Sequence, residues 1–465
     1  MKKGYKATLI LCLSLMLILT ACGGNSGGNN GAAGNNGKAP ATNTGETDTN
    51  QPAEETPKEK VVLNIPHYKA GQNVGGKFFL PQVERFNKKY EGQYEIKIEE
   101  VPNDAYKEKI KLLWQQKKLP ALIEGGDTQF IDELIAKDEI YDLKPWLDSK
   151  PELSKQLIAD SVSYNTKNGK IYTMPLSVIR PIGLFYNKEM FEKAGITKPV
   201  AQMTFAEFEE ALKQLKAAGF TPLSLMTGEN AWTTMLLASA FMAGEPGGAE
   251  VLKSDRADKV SDYNDPLWIK AFAETQKWLQ NYTTDNALGA AYADAANNFL
   301  NERAAIIANG TWMVGDFSDT TKAPEGFADK VGASVYPGGV GLATTAEYSW
   351  WIPKGLKQEE TDAALAFLEF INSPEELEAY MIAEGGTAPN VRQSAEFESK
   401  LNPILAEMNR SVKNDMKVIA QSFGNVWPDQ IGSTEFAQNL PLLVKGDLTP
   451  EKFAETLTQK AGRFK

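Results

Sequence analysis

Histidine and cysteine are almost missing from this chain: its 465 residues include one His, His67, and two Cys, Cys12 and Cys22. That scarcity excludes the common zinc sites, which take several Cys or His ligands, and any Ser-His-Asp or Cys-His machinery built on another histidine. It also excludes a disulfide framework. Positive charge is short too, with 49 Lys+Arg against 60 Asp+Glu, a net charge of −11 and a sequence pI near 5.0. A chain of that balance lacks the basic field that phosphate backbones attract, so nucleic acid is not an expected partner. No metal and no cofactor are expected. The length suffices for two or three domains.

The amino end carries a basic start at Lys2, Lys3 and Lys6, an apolar stretch from Ala7 to Leu19, and then Thr20, Ala21 and Cys22. The pattern is that of a secretory signal, and the apolar stretch is short for a bilayer, which needs about 20 residues. Leu19-Thr20-Ala21-Cys22 resembles the bacterial lipobox. That resemblance implies a signal peptide over 1–21, a lipid anchor on Cys22, and a position at the extracytoplasmic face of the bacterial cell membrane. Residues 23–59 contain no aromatic and no branched aliphatic side chain. Such a segment cannot bury enough apolar surface to offset the entropy of ordering, so 22–59 reads as the anchored Cys and a disordered Gly/Asn-rich tether. Its reach is roughly 30 Å or slightly more.

From Val61 onward, strand and helix patterns alternate. Val61–Ile65 is a short apolar run; Phe78, Phe79, Val83, Phe86 and Tyr90 recur at helical spacing; Tyr94, Ile96 and Ile98 alternate with polar residues. A second helix with Tyr106, Ile110, Leu113 and Trp114 on one face and a strand at Ala121-Leu122-Ile123 follow. Repeated β-α-β units imply an α/β fold with a mostly parallel sheet. Ligands in such sheets sit beyond the carboxyl ends of strands, which singles out His67, Tyr68 and Asp127. Thr204 and Glu207 have capping-box spacing, and Gly219 is a plausible stop for that helix.

Two chemical motifs can be weighed and set aside. Gly71-Gln72-Asn73-Val74-Gly75-Gly76-Lys77 matches the phosphate-loop pattern until Phe78 stands where a Ser or Thr must reach magnesium. A glycosidase needs only two carboxylates, and no pair here has a telling spacing. The aromatic signal is stronger. Trp232, Trp312, Trp350, Trp351 and Trp427 lie in segments rich in Gly, Asn, Thr or Pro, where a flat ring is a candidate to stack on the C–H face of a sugar. Trp114, Trp146, Trp268 and Trp278 lie in helical or apolar surroundings and read as core.

Gly169-Lys170-Ile171-Tyr172-Thr173-Met174-Pro175, followed by Leu184-Phe185-Tyr186-Asn187-Lys188-Glu189-Met190-Phe191-Glu192-Lys193-Ala194-Gly195-Ile196, resembles the signature of extracellular solute-binding lipoproteins of sugar ABC importers. Thr204–Phe208, the run Phe299–Trp312 ending in Gly-x-Trp, and Trp351-Ile352-Pro353-Lys354-Gly355 with the helix to Asn372-Ser373-Pro374-Glu375 extend the likeness in the same order. The resemblance implies a two-lobed periplasmic-binding-protein-like fold with an interlobe ligand cleft and crossing hinge strands. The first lobe would take 60–178 and 334–372, the second 182–330 and 376–465, with hinges near Ser177–Pro181, Val331–Val335 and Asn372–Pro374. It implies a monomeric, non-enzymatic receptor that captures a sugar or oligosaccharide and delivers it to a membrane permease. A peptide or polyamine receptor, or a surface carbohydrate-active enzyme, is the alternative. By the same resemblance Trp312 takes the stacking position, Asp127 that of an acidic sugar ligand, and Arg180 stands where a relative has an acidic contact. That Arg would suit either an acidic sugar or two hydrogen bonds to a neutral one. Tyr68, His67, Glu229, Trp232, Tyr348, Trp350 and Trp427 complete the candidate ligand set.

Overall fold

A computed structural model of the chain describes residues 59–70, 75–126, 128–258, 262–345, 347–428 and 430–464. The signal peptide, Cys22, the tether, Gly71–Val74 and Asp127 lie outside the described residues. The chain begins with β1 (Val61–His67), α1 (Gly76–Lys89), β2 (Tyr94–Glu100), α2 (Asn103–Gln115), β3 (Ile123–Glu124) and α3 (Thr128–Ala136). β1 and β2 pair in parallel, with Val61 opposite Tyr94 and Ile65 opposite Ile98. The apolar spacing that marks α1 has a direct outcome: Phe79, Val83 and Phe86 are buried along one stripe.

The middle of the chain supplies β4 (Arg180–Asn187), α4 (Phe205–Ala217), β5 (Leu223–Ser224), α5 (Trp232–Gly244), α6 (Pro266–Asn281), β6 (Ile306–Gly310), β7 (Val331–Ser334) and β8 (Val340–Thr344). Thr204 and Glu207 do form a reciprocal capping box at the start of α4. Gly219, two residues beyond its end, has the left-handed φ of 86° that ends such a helix. The last part adds β9 (Trp350–Trp351), α7 (Gln358–Ile371), α8 (Pro374–Glu384), α9 (Pro403–Asp415) and β10 (Val418–Ala420).

The larger sheet has strand order β10-β8-β4-β6-β5, with β7 also pairing with β4. It departs from the expected, mostly parallel sheet. β4 runs antiparallel to β6, β7 and β8, whereas β10 with β8 and β5 with β6 are parallel. The physical reason is connectivity: β4 enters from one core while its neighbours arrive from the other, so no β-α-β crossover dictates its direction. β3 pairs antiparallel with the late strand β9, Glu124 opposite Trp350.

Two groups of cores result. One packs Leu63, Ile65, Phe79, Phe86 and Ile96 under Phe367 and Leu368 of α7 and beside Trp350. The other packs Ile182, Leu184, Phe208, Leu212, Trp268, Phe272 and Trp278 with the carboxyl-terminal Phe423, Phe436 and Phe453. α5 belongs to the second and is buried on nearly every side, consistent with its run of Met, Leu, Ala and Phe. The chain passes between the two groups in neighbouring segments: Ser177 Oγ donates to Asn372 Oδ1 at 3.2 Å, and Ser373 caps α8 by accepting from the Glu376 N–H.

Candidate functional site

The end of β1 carries His67, Tyr68 and Lys69, and the end of β3 carries Glu124. Glu124 Oε1 lies 2.6 Å from Lys69 Nζ, and its Oε2 lies 2.8 Å from His67 Nε2. The Lys69 backbone N–H donates to His67 Nδ1 at 2.9 Å. Nδ1 is therefore an acceptor, so the neutral imidazole carries its proton on Nε2, facing the carboxylate. His67 is completely buried and sandwiched, with its ring 4.2 Å from Phe79 and 5.2 Å from Trp350. It is thus placed beneath the site as a support for Glu124 rather than on the site's surface. Burial holds the His67 pKa below its ordinary value, against the opposing pull of Glu124. Burial would raise Glu124, but Lys69 and then His67 outweigh it and hold the carboxyl far below the usual range. Lys69 Nζ also lies 5.7 Å from the Tyr68 ring centroid.

Across from this group stands Arg180, at the start of β4. Its Nη2 is 2.7 Å from Glu347 Oε1, and its guanidinium carbon is 5.8 Å from the centroid of Trp312. The pairing follows from register: Arg180 is opposite Thr344 in the β4/β8 ladder, which brings Glu347 alongside. Trp312 sits in a 3-10 turn, Thr311–Met313, directly after β6, and Trp232 opens α5 with its ring 6.3 Å from that of Trp312. The loop before Trp232 is conformationally costly, since Glu229 and Ala231 both have left-handed φ, 50° and 52°. Glu229 is exposed and accepts from the Tyr292 N–H at 3.1 Å, which holds that loop in place. Arg180, Lys69, Tyr68 and Glu124 are close enough for the charges of the two groups to act on one another. Lys77 of α1 pairs with Asp319, beyond Trp312, and makes a second link between them.

Of the residues singled out from sequence, Tyr68, Arg180, Trp312 and Trp232 come together, and all are half-buried. Tyr348, Trp350 and Trp427 are placed differently. Tyr348 donates to Asp132 Oδ1 at 2.6 Å and packs in the first core group. Trp350 stacks behind His67. Trp427 lies 4.3 Å from Phe423 and 4.6 Å from Trp268, ring to ring, and is 3 % exposed. Their Gly- and Thr-rich neighbours mark loops, but the rings fold inward because apolar partners wait there. Lys69, Glu124, Glu347, Tyr380 and Glu384 were not anticipated. The strand-end rule that indicated Asp127 applies equally to Glu124, three residues earlier, and to Lys69 beside Tyr68.

Gly310 ends β6 directly under the indole. A Cβ at that position would stand 2.1 Å from Trp312 Cη2, so only glycine lets the ring lie where it does. Gly310→Ala is expected to displace the indole and to weaken ligand binding about tenfold in calorimetry while circular dichroism stays unchanged. Wild-type affinity in the variant would refute the placement of the ring.

The chain matches the bacterial extracellular solute-binding protein family over residues 82–404. It is 23% identical over 360 residues to the sn-glycerol-3-phosphate-binding periplasmic protein UgpB of Rhizobium meliloti, covering 72% of this chain and 80% of that one. It is 26% identical over 252 residues to the maltodextrin-binding protein MdxE of Bacillus subtilis, covering 53% of this chain and 58% of that one. Among solved structures, a chitin oligosaccharide binding protein superposes with a TM-score of 0.72 at 21% identity, covering 87% of this chain and 99% of that one. The fold is thus the α/β, two-lobed solute-receptor architecture, and the family is one of binding proteins rather than enzymes. This chain belongs to the bacterial extracellular solute-binding proteins.

Proposed function

We propose that the protein is a receptor for an uncharged saccharide, which it captures by closing two lobes and delivers to an ABC permease. The observation that carries this reading is the state of the two cations at the site. Lys69 is held by Glu124 and Arg180 by Glu347, at 2.6 and 2.7 Å, while the indoles of Trp312 and Trp232 offer flat apolar faces. A phosphate or carboxylate would have to compete with carboxylates already in contact with both cations. A neutral polyol needs only the remaining donors and acceptors, with the rings against its C–H faces. A polyamine would have to compete with Lys69 and Arg180 for the same two carboxylates. Among the relatives, the maltodextrin and chitin oligosaccharide receptors bind ligands of the favoured kind; the glycerol phosphate receptor does not.

In this reading the lobes comprise 60–178 with 334–372 and 182–330 with 376–465, and the hydrogen bond from Ser177 to Asn372 ties two of the hinge segments together. Tyr68 would line one wall and Trp312, Trp232 and Arg180 the other, and Asp127 stays in the proposed ligand set by resemblance alone. Closure follows from tighter binding to the closed form, without a cofactor. The protein works as a monomer, held by a lipid on Cys22 outside the cell membrane, with the Gly/Asn-rich segment as its tether.

The test is thermal unfolding of the chain from Val61 onward with maltotriose, raffinose, xylotriose, chitotriose, galactose and sn-glycerol 3-phosphate. A ligand at 100 times its Kd adds about 2.7 kcal/mol, enough for a clear rise in Tm. The expected result is a rise with one saccharide class and none with the phosphate. A rise with the phosphate alone would overturn the reading.

A further inference from the structure

One buried acid has no hydrogen-bond partner among the described residues. Glu384, the last residue of α8, is 9 % exposed and makes no hydrogen bond or ion pair with a described residue. With no protein donor beside them among the described residues, its carboxylate oxygens are reached by solvent rather than sealed in the core, and a ligand's hydroxyls can take the place of that solvent. The turn after Glu384 is fixed tightly against the site. Gly385 has φ 78°, and a Cβ there would lie 2.5 Å from Thr311 Cβ, next to Trp312. Gly386 has φ 121°, and a Cβ there would lie 2.7 Å from Val178 Cγ1, two residues before Arg180. The Thr311 hydroxyl oxygen is likewise buried with no hydrogen-bond partner among the described residues. One turn earlier on the same helix face, Tyr380 packs edge-on against Phe78 at 5.3 Å.

We propose that Glu384 is a ligand-binding residue that sets specificity: from α8 its carboxylate accepts hydrogen bonds from ligand hydroxyls beside Trp312 and Arg180. This rests on the saccharide-receptor reading above. The charged groups that face Glu384 are Lys69 after β1, Arg180 on β4 and Asp316 after Trp312. Burial pushes its carboxyl above the usual range; Lys69 and Arg180 pull it back, and Asp316 pushes it further up. Donors from a ligand favour the ionised form, so binding displaces a proton from the fraction that is protonated. Affinity therefore falls as pH drops through the raised range of this carboxyl.

The experiment compares the wild-type chain with Glu384→Gln by calorimetry between pH 5 and 7, using the panel saccharide that gives the largest rise in Tm. The expected result has three parts: binding at pH 7 weakened about tenfold, a flatter pH dependence, and a ligand-free Tm equal to or above that of the wild type. The last part separates the assignment from a structural role, because removing an unpartnered buried charge does not loosen the fold. His67, the other titratable group of the site with a lowered pKa, is present in both proteins. Equal affinity, or a lowered ligand-free Tm with wild-type pH dependence, would overturn the assignment while leaving the receptor reading intact. If no saccharide binds the wild type, both fall together.

Discussion

Trp312→Ala weakens saccharide binding by well over tenfold, with little change in the ligand-free Tm. The indole is half-buried at the surface of the site, with the Arg180 guanidinium 5.8 Å from one centroid and the Trp232 ring 6.3 Å away. Its removal takes away the broadest apolar face available to a pyranose and also the ring against which Arg180 rests. Each tenfold loss corresponds to about 1.4 kcal/mol, and one stacked aromatic contact of this size readily supplies that or more. Stability changes little because the ring is only partly buried. Calorimetric titration checks the claim; a Kd within twofold of wild type would remove Trp312 from the ligand wall.

Glu124→Ala is expected to destabilise the ligand-free protein by about 3 kcal/mol, the range seen when one member of a buried pair is deleted. Its carboxylate faces Lys69 and His67 at once, and the His67 ring is packed against Tyr68 and Phe79. The substitution leaves the Lys69 ammonium without its anion and the His67 Nε2 proton without an acceptor. The pH dependence has a defined sign. The Glu124 carboxyl is held below its ordinary value of 4.5, so its contribution is complete above that value and is lost as pH falls beneath it. The His67 imidazole is also held below its ordinary value of 6.5, so the unfolded chain takes up the proton first and stability declines as pH falls from there. Denaturant titration should therefore show the wild type weakening in two stages between neutral and strongly acidic pH. Glu124→Ala should show a shallower lower stage, since Asp319 and Glu207 also hold carboxyls below their ordinary values, and an unchanged profile in the variant would sink the keystone role of Glu124.

Local pattern was readable wherever a short window decides structure. The stripe of Phe79, Val83 and Phe86, the alternation in β2, and the Thr204 cap each depend on neighbours within one or two turns. Trp312 was singled out by its loop setting and by the Gly-x-Trp resemblance; the structure adds that Gly310, two residues earlier, leaves the space its ring occupies. The direction of β4 was not legible, since it depends on which core delivers each neighbouring strand. Nor was the Arg180–Glu347 pair, which needs the register of β4 against β8 across more than a hundred intervening residues. Trp350 and Trp427 were ambiguous because a glycine- or proline-rich setting says that a ring is on a loop and not which way it turns. Glu384 gave no local sign at all: it reads as an ordinary helix-terminal acid until the glycine turn after it is seen packed against Thr311.

The covering of β1 by α7 also governs how the protein comes into being. Leu63, Ile65, Phe79 and Phe86 are closed over by Phe367 and Leu368, so the earliest part of the chain completes its core only with one of the later helices. Contacts so distant in sequence are slow to form, and their loop-closure entropy is spent before they stabilise anything. A polypeptide delivered amino end first leaves those side chains uncovered until residue 371 has emerged, so the core around β1 is among the last to close and its apolar surface is exposed to aggregation until then.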